Sequence, residues 1–252
     1  MRIDLNADVG ESLGPWPMGD DEHLIPLVSS VNIACGFHAG DPRTIERTVA
    51  IAVAAGVAIG AHPGYPDLVG FGRRDIAMAA VDLEAAVVYQ VGAVAAFARA
   101  AGTELHHVKA HGALYNRAAR DPATAEAIVR GTRRVSAELV IVGPPQSSLA
   151  DAAAAAGSPW AAEGFPDRAY EADGSLRSRN LPDALVLEPA VAAARAILMA
   201  RDGRVAAVDG SEIEMRVATL CLHGDAPGAT ARAAALRAAL AEAGIEVRRF
   251  GA

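Results

Sequence analysis

Residues 106–116 read His-His-Val-Lys-Ala-His-Gly-Ala-Leu-Tyr-Asn and hold Lys109, the single lysine among 252 residues; the other 22 basic side chains are arginine. Arginine is a rigid fork that keeps its charge, whereas lysine is a flexible point charge whose pKa moves on burial. A chain that otherwise relies on arginine has kept one ammonium here, which marks the segment for chemistry a guanidinium cannot do. A solvated surface lysine is the plainer alternative. The segment also carries three of the seven histidines. It begins like a buried strand and turns through Gly112.

Other reactive types cluster in the same manner. In residues 4–11, Asp-Leu-Asn-Ala-Asp-Val-Gly-Glu, the period-two alternation of an extended chain places Asp4, Asn6 and Asp8 on one side, with Glu11 just beyond. Polar groups facing a barrel interior are costly unless paired or used; alternation on an exposed edge strand is the other reading. His38 lies in a Gly-flanked turn and His62 directly after a strand. With Asp8 they suit an Asp–His–His site for zinc or a similar ion, or a hydrogen-bonded neutral pair. No His-x-x-x-His pair shares a helix, so the histidines are expected to act through hydrogen bonds, with no tightly bound metal. Residues 64–75 form a long Gly-hinged connection of the kind that makes lids, and its Arg73 and Arg74 suit a carboxylate or phosphate. Residues 163–170 set Glu163, Asp167 and Arg168 around a Gly-Phe turn.

Strand-like runs alternating with Ala-rich helical runs must position these groups. Strands are predicted over 2–6, 31–34, 57–61, 105–109, 139–142, 158–163 and 217–222, and helices near 21–29, from Pro42 to Ala55, over 81–101, from Pro122, and up to Ala243. Such alternation implies βαβ units and a parallel sheet. Seven units favour a (β/α)7-type barrel, read as a single domain over 1–252. The unusual polar residues follow strand C-termini: Asn6, Asp8, His38, His62, His111, Asp167, His223 and Asp225. In (β/α) barrels that rim carries the active site. A further strand over 245–250 is expected outside the barrel wall because Arg248 and Arg249 are paired in it.

Composition narrows the class. Hydrophobic residues make up 52% and mean hydropathy is +0.22, enough for a sizeable core. Net charge is −7 with no basic cluster, which argues against a nucleic-acid surface. The two cysteines, Cys35 and Cys221, show no metal or redox spacing, which suits a reducing compartment. No signal peptide and no membrane-spanning run are read, so a cytoplasmic location is expected. A Walker A loop needs Gly-Lys, and the sole lysine follows Val108. Any nucleotide must bind in another mode or on a partner chain.

Seven stretches in order, residues 4–11, 32–42, 60–67, 70–74, 108–116, 163–168 and 221–225, resemble the LamB/YcsF family over nearly the whole chain. The family usually has Pro where this chain has Ala110, and Ala where it has Pro166; neither change removes a reactive group. The resemblance implies a seven-stranded barrel related to glycoside hydrolase and polysaccharide deacetylase barrels. It implies the A component of an ATP-dependent 5-oxoprolinase, opening 5-oxo-L-proline to L-glutamate with Mg-bound ATP and with partner subunits B and C. A five-membered lactam is a stable amide, so phosphorylation of its oxygen would precede attack by water. On that chemistry Asp8 or a neutral His62 is the expected base. Lys109 and His111 stabilise negative charge, with His38 beside them. Asn6 and Asn32 would hold the ring amide and Arg74 or Arg168 the carboxylate. Glu11, Glu163, Asp167, His223 and Asp225 complete the expected substrate rim. Replacing Lys109 by arginine is expected to lower turnover with little change in stability. Tyr65, Phe71 and Phe165, in Gly-rich loops, either meet a partner or roof the barrel. Two other readings stay open: a stand-alone metal-dependent deacetylase or amidohydrolase, and a non-catalytic lactam carrier within the complex.

Overall fold

A computed structural model describes residues 1–223 and 228–251, excluding the His223 side chain. Seven parallel strands form the wall: β1 (Arg2–Val9), β2 (Ser30–Ala34), β3 (Ala58–His62), β4 (His107–Lys109), β5 (Val140–Gly143), β6 (Trp160–Gly164) and, after a hairpin of β7 (Arg204–Ala206) and β8 (Glu212–Glu214), β9 (Thr219–His223). β9 pairs with both β6 and β1, which closes the barrel. β10 (Glu246–Val247) pairs with β1 at Arg2 and Ile3 and covers only two of the residues expected in a strand over 245–250; Arg248 and Arg249 lie beyond it. Around the wall lie α1 (Asp21–Leu24), α2 (Pro42–Ala55), α3 (Ala80–Ala100), α4 (Gly112–Ala118), α5 (Pro122–Val135), α6 (Ser148–Ala155), α7 (Pro189–Asp202) and α8 (Ala229–Glu242).

Several boundaries differ from the sequence reading for local reasons. β1 runs on to Val9 because Asp8 and Val9 still pair with Asn32 and Ile33 of β2, so Asp8 lies within the strand. The helix expected over 21–29 stops at Leu24 and continues as a 3-10 turn, Ile25–Leu27, where Pro26 removes a backbone donor. α2 begins as read: the Asp41 side chain accepts the backbone N–H of Arg43 and Thr44, Pro42 sits in the first turn, and Gly56 ends the helix at φ 68°. Asp121 instead turns its carboxylate to the Thr124 hydroxyl and to Arg117. α3 is long and apolar enough to cross a membrane by length and composition alone. Here it packs on the barrel, with Leu83, Val87, Val91, Val94 and Ala98 buried.

The two faces of β1 divide the labour. Ile3, Leu5, Ala7 and Val9 join the apolar layer under the helices, and Asp4, Asn6 and Asp8 alternate with them, all buried. Asp4 accepts hydrogen bonds from Ser29, Ser30 and Thr219 hydroxyls. Burial nevertheless pushes its carboxyl up from 3.8 to about 6, and Glu163 adds to that rise. A carboxyl raised in the folded state binds more protons than the unfolded chain between those values, so stability falls as pH rises through that window. The shift corresponds to about 3 kcal/mol. Asp4→Asn is therefore expected to flatten the pH dependence of stability between about pH 4 and 6, read as the difference between wild-type and variant denaturant melts; parallel curves would show that Asp4 stays ionised.

Candidate active site

The barrel interior is a stack of polar layers assembled by strand register. In the lower layer Asn32 Nδ2 donates to Asn6 Oδ1 at 2.7 Å and to Asp8 Oδ1 at 2.8 Å. Asn6 Nδ2 donates to Glu163 Oε1 at 3.0 Å and to Thr219 Oγ1 at 2.6 Å. His107 reaches across to Asn32 Oδ1 at 2.8 Å. That reach needs Gly60 on the neighbouring strand: a Cβ there would lie 2.2 Å from His107 Nε2.

Lys109 occupies the next layer, 2% exposed. Its Nζ lies 2.9 Å from Asp8 Oδ1 and 2.9 Å from Glu163 Oε1. Cys221 Sγ is also 2.9 Å away and Asn6 Oδ1 3.3 Å. An ammonium has three hydrogens, so the longer Asn6 contact is the weakest claimant. Burial opposes the charge, yet Asp8 and Glu163 hold the ammonium well above its ordinary range. Burial likewise pushes the Cys221 thiol far up, so it stays protonated.

Above the lysine lie three histidines. His62 Nδ1 is 2.7 Å from the Lys109 carbonyl and His111 Nε2 is 2.8 Å from that of Phe71. His62 Nε2 faces His111 Nδ1 at 3.0 Å and Asp8 Oδ2 at 3.4 Å. His38 stacks on His111 with ring centroids 3.7 Å apart, and its Nε2 is 4.0 Å from Glu11 Oε1. Burial holds His38, His107 and His111 well below the usual imidazole range. Among the described residues, Glu11, His38, His62 and His111 are the set whose ligand atoms lie within metal-binding reach of one another. Phe71 and Gly72 both take left-handed φ values, 53° and 64°, and this turn aims the Phe71 carbonyl at His111.

A cavity of about 460 Å³ opens onto Asp8, His62, Lys109 and Glu163, walled by Tyr115, Phe165 and five arginines: Arg73, Arg120, Arg168, Arg177 and Arg179. In a chain of net charge −7, such a lining selects anions.

The sequence-derived candidates sort accordingly. Asp8, Lys109, His62 and Glu163 come together at the cavity floor. His38, His111 and Glu11 form the neighbouring histidine cluster. Asn6 and Asn32, expected at the substrate, are instead consumed in orienting Asp8, Glu163 and His107. Arg74, also expected there, is tied to Asp67, and Arg73 lines the cavity in its place. Arg168 does line it, although its guanidinium also donates to the Ala184 and Arg177 carbonyls. Asp167 is buried beside it but does not line the cavity. Asp225 and the His223 side chain lie outside the described residues. Tyr65 and Phe165 are buried and Phe71 half-buried. His107, Cys221, Tyr115 and Thr219 escape a reading of the sequence, because each is an ordinary strand or helix residue until the barrel closes.

Comparisons with known proteins agree over the full length. The LamB/YcsF family profile matches residues 3–252. A Chloroflexus aggregans protein, named as the A component of 5-oxoprolinase, is 54% identical over 98% of this chain and 98% of its own length. A Methylococcus capsulatus protein of the same name is 56% identical over 99% of this chain and 96% of its own length. The crystal structure of a lactam utilization protein from Thermus thermophilus superposes with a TM-score of 0.95 at 48% identity, covering 99% of this chain and 100% of that one.

Proposed function

The chain belongs to the LamB/YcsF family, and from that premise we propose that it is the catalytic A component of a 5-oxoprolinase. It opens 5-oxo-L-proline to L-glutamate, with Mg-bound ATP and with partner subunits B and C, in the cytoplasm. The observation that carries the reading is Lys109 clamped between Asp8 and Glu163 at the floor of an arginine-walled cavity. The names of the relatives supply the lactam. The free, buried Cys35 and Cys221 suit a reducing compartment.

Transfer of the ATP γ-phosphoryl group to the amide oxygen makes the ring carbon electrophilic. Water then adds to that carbon, and the C–N bond breaks as the nitrogen takes a proton, leaving an acyl phosphate; a second water attacks the same carbon and supplies the second carboxylate oxygen as phosphate leaves. Asp8 Oδ1 accepts from Lys109 and Asn32, Oδ2 lies 3.4 Å from His62 Nε2, and the Asp8 carboxylate takes the water proton. Lys109 offsets negative charge on the tetrahedral oxygen. Arg73 and Arg168 hold the carboxylate and the phosphoryl group.

The test is glutamate and ADP release from this chain alone, then with both partner subunits, each with and without ATP. Turnover is expected only in the complete mixture. ATP-independent turnover by the isolated chain would favour a stand-alone amidohydrolase. Full activity of the complex after joint replacement of Asp8, Lys109 and His111 would favour a lactam carrier.

A further inference from the structure

The histidine cluster poses a problem of proton placement. A backbone carbonyl can only accept, so His62 Nδ1 and His111 Nε2 each carry a hydrogen, donated to Lys109 O and Phe71 O. The remaining atoms, His62 Nε2 and His111 Nδ1, face each other at 3.0 Å. In two neutral rings these are both lone pairs, and at that separation they repel unless a cation lies with them. Among the described residues, His38, 1% exposed, has no hydrogen-bond partner at either ring nitrogen, which is costly for a buried polar group. Glycines keep the space: a Cβ at Gly64 would lie 2.7 Å from His38 Nδ1, and one at Gly72 2.7 Å from both His38 and His111.

We propose that Glu11, His38, His62 and His111 bind one divalent transition ion, zinc or an ion of similar preference, beside the catalytic cavity. One donor atom from each lies within 4.8 Å of the others. A tetrahedral ion with bonds of about 2.1 Å spaces its ligand atoms about 3.4 Å apart, so the cage closes when the atoms draw together and His38 turns out of its stack on His111 to bring its in-plane lone pair onto the ion. Three imidazoles and one carboxylate suit zinc or cobalt. The outer N–H groups of His62 and His111 already donate to backbone carbonyls, an arrangement that fixes the tautomer and orientation of ligating histidines. The left-handed Phe71–Gly72 turn is explained too, because strained backbone is kept where it aims a functional group. The ligands come from the C-terminal ends of four successive strands, β1 to β4. This is why the sequence, read for paired histidines on one helix, leads to the expectation of no tight ion. The site does not depend on the lactam reading, since it is measured by binding.

The experiment uses the full chain, stripped with chelator and then titrated with Co²⁺. One equivalent is expected, with visible d–d bands of a histidine-ligated ion, displaced by Zn²⁺, and with a Kd below roughly a micromolar. His38→Ala and Glu11→Gln are each expected to weaken Co²⁺ binding at least about 100-fold, with circular dichroism confirming the fold. Glu11→Gln, which preserves shape, decides the matter if His38→Ala does not fold. No stoichiometric binding, or equal affinity in the folded variants, overturns the proposal. So does an imidazolium proton between His62 and His111 that persists in ¹⁵N NMR spectra with zinc present.

Discussion

Replacing Lys109 by methionine is expected to lower turnover of the reconstituted enzyme by about 100-fold or more and to destabilise the chain by roughly 3–5 kcal/mol. Both effects have one origin. Nζ lies 2.9 Å from Asp8 and 2.9 Å from Glu163, and removing it leaves two buried carboxylates facing each other without a counter-charge. The sequence alone anticipates the loss of activity but not the loss of stability, because it places the ammonium on the rim and not inside the wall. Arginine is no substitute: its guanidinium is bulkier than the space left by Asn6, Asp8, Glu163 and Cys221 around Nζ. Denaturant melts and glutamate release on the same preparations separate the two effects. The double variant Lys109→Met, Asp8→Asn removes one stranded charge, so it is expected to regain part of the stability and none of the turnover. Near-normal turnover of Lys109→Met would remove the lysine from the chemistry.

What the sequence makes legible is whatever depends on local period. Alternation along residues 4–8 places Asp4, Asn6 and Asp8 on one face, and closure of the barrel turns that face inward. The Pro42 and Gly56 boundaries of α2 are equally local. What stays hidden depends on register between distant strands. Nothing near His107 announces that Gly60 vacates its path to Asn32. The surroundings of Asn6 and Asn32 are hidden for the same reason: each fits the chemistry of a lactam, and their amides hydrogen-bond to neighbours that only folding brings close. Arg73 and Arg74 are adjacent in sequence, and the tight turn of residues 67–74 sends one to the cavity and pins the other to Asp67. Glu11 and the three clustered histidines span a hundred residues, so their convergence appears only in three dimensions.

The second large effect belongs to Asp8 and isolates chemistry from architecture. Asparagine has the same shape, and its amide oxygen can still accept from Lys109 Nζ and Asn32 Nδ2 as Asp8 Oδ1 does. Its amide N–H₂ would then take the Oδ2 position, on the side of His62 Nε2, 3.4 Å away. Lys109 keeps Glu163 as counter-ion, so no buried cation is stranded. Stability is therefore expected to change far less than in Lys109→Met. What is lost is the carboxylate that takes a proton from water, and a positioned general base is worth about 10²–10⁴ in rate. The loss is expected in kcat, with KM for 5-oxoproline nearly unchanged, because the cavity arginines and not Asp8 hold the substrate in this reading. Steady-state kinetics of the complete complex decide the point. A kcat within tenfold of wild type, in a variant that folds normally, would show that Asp8 is not the general base.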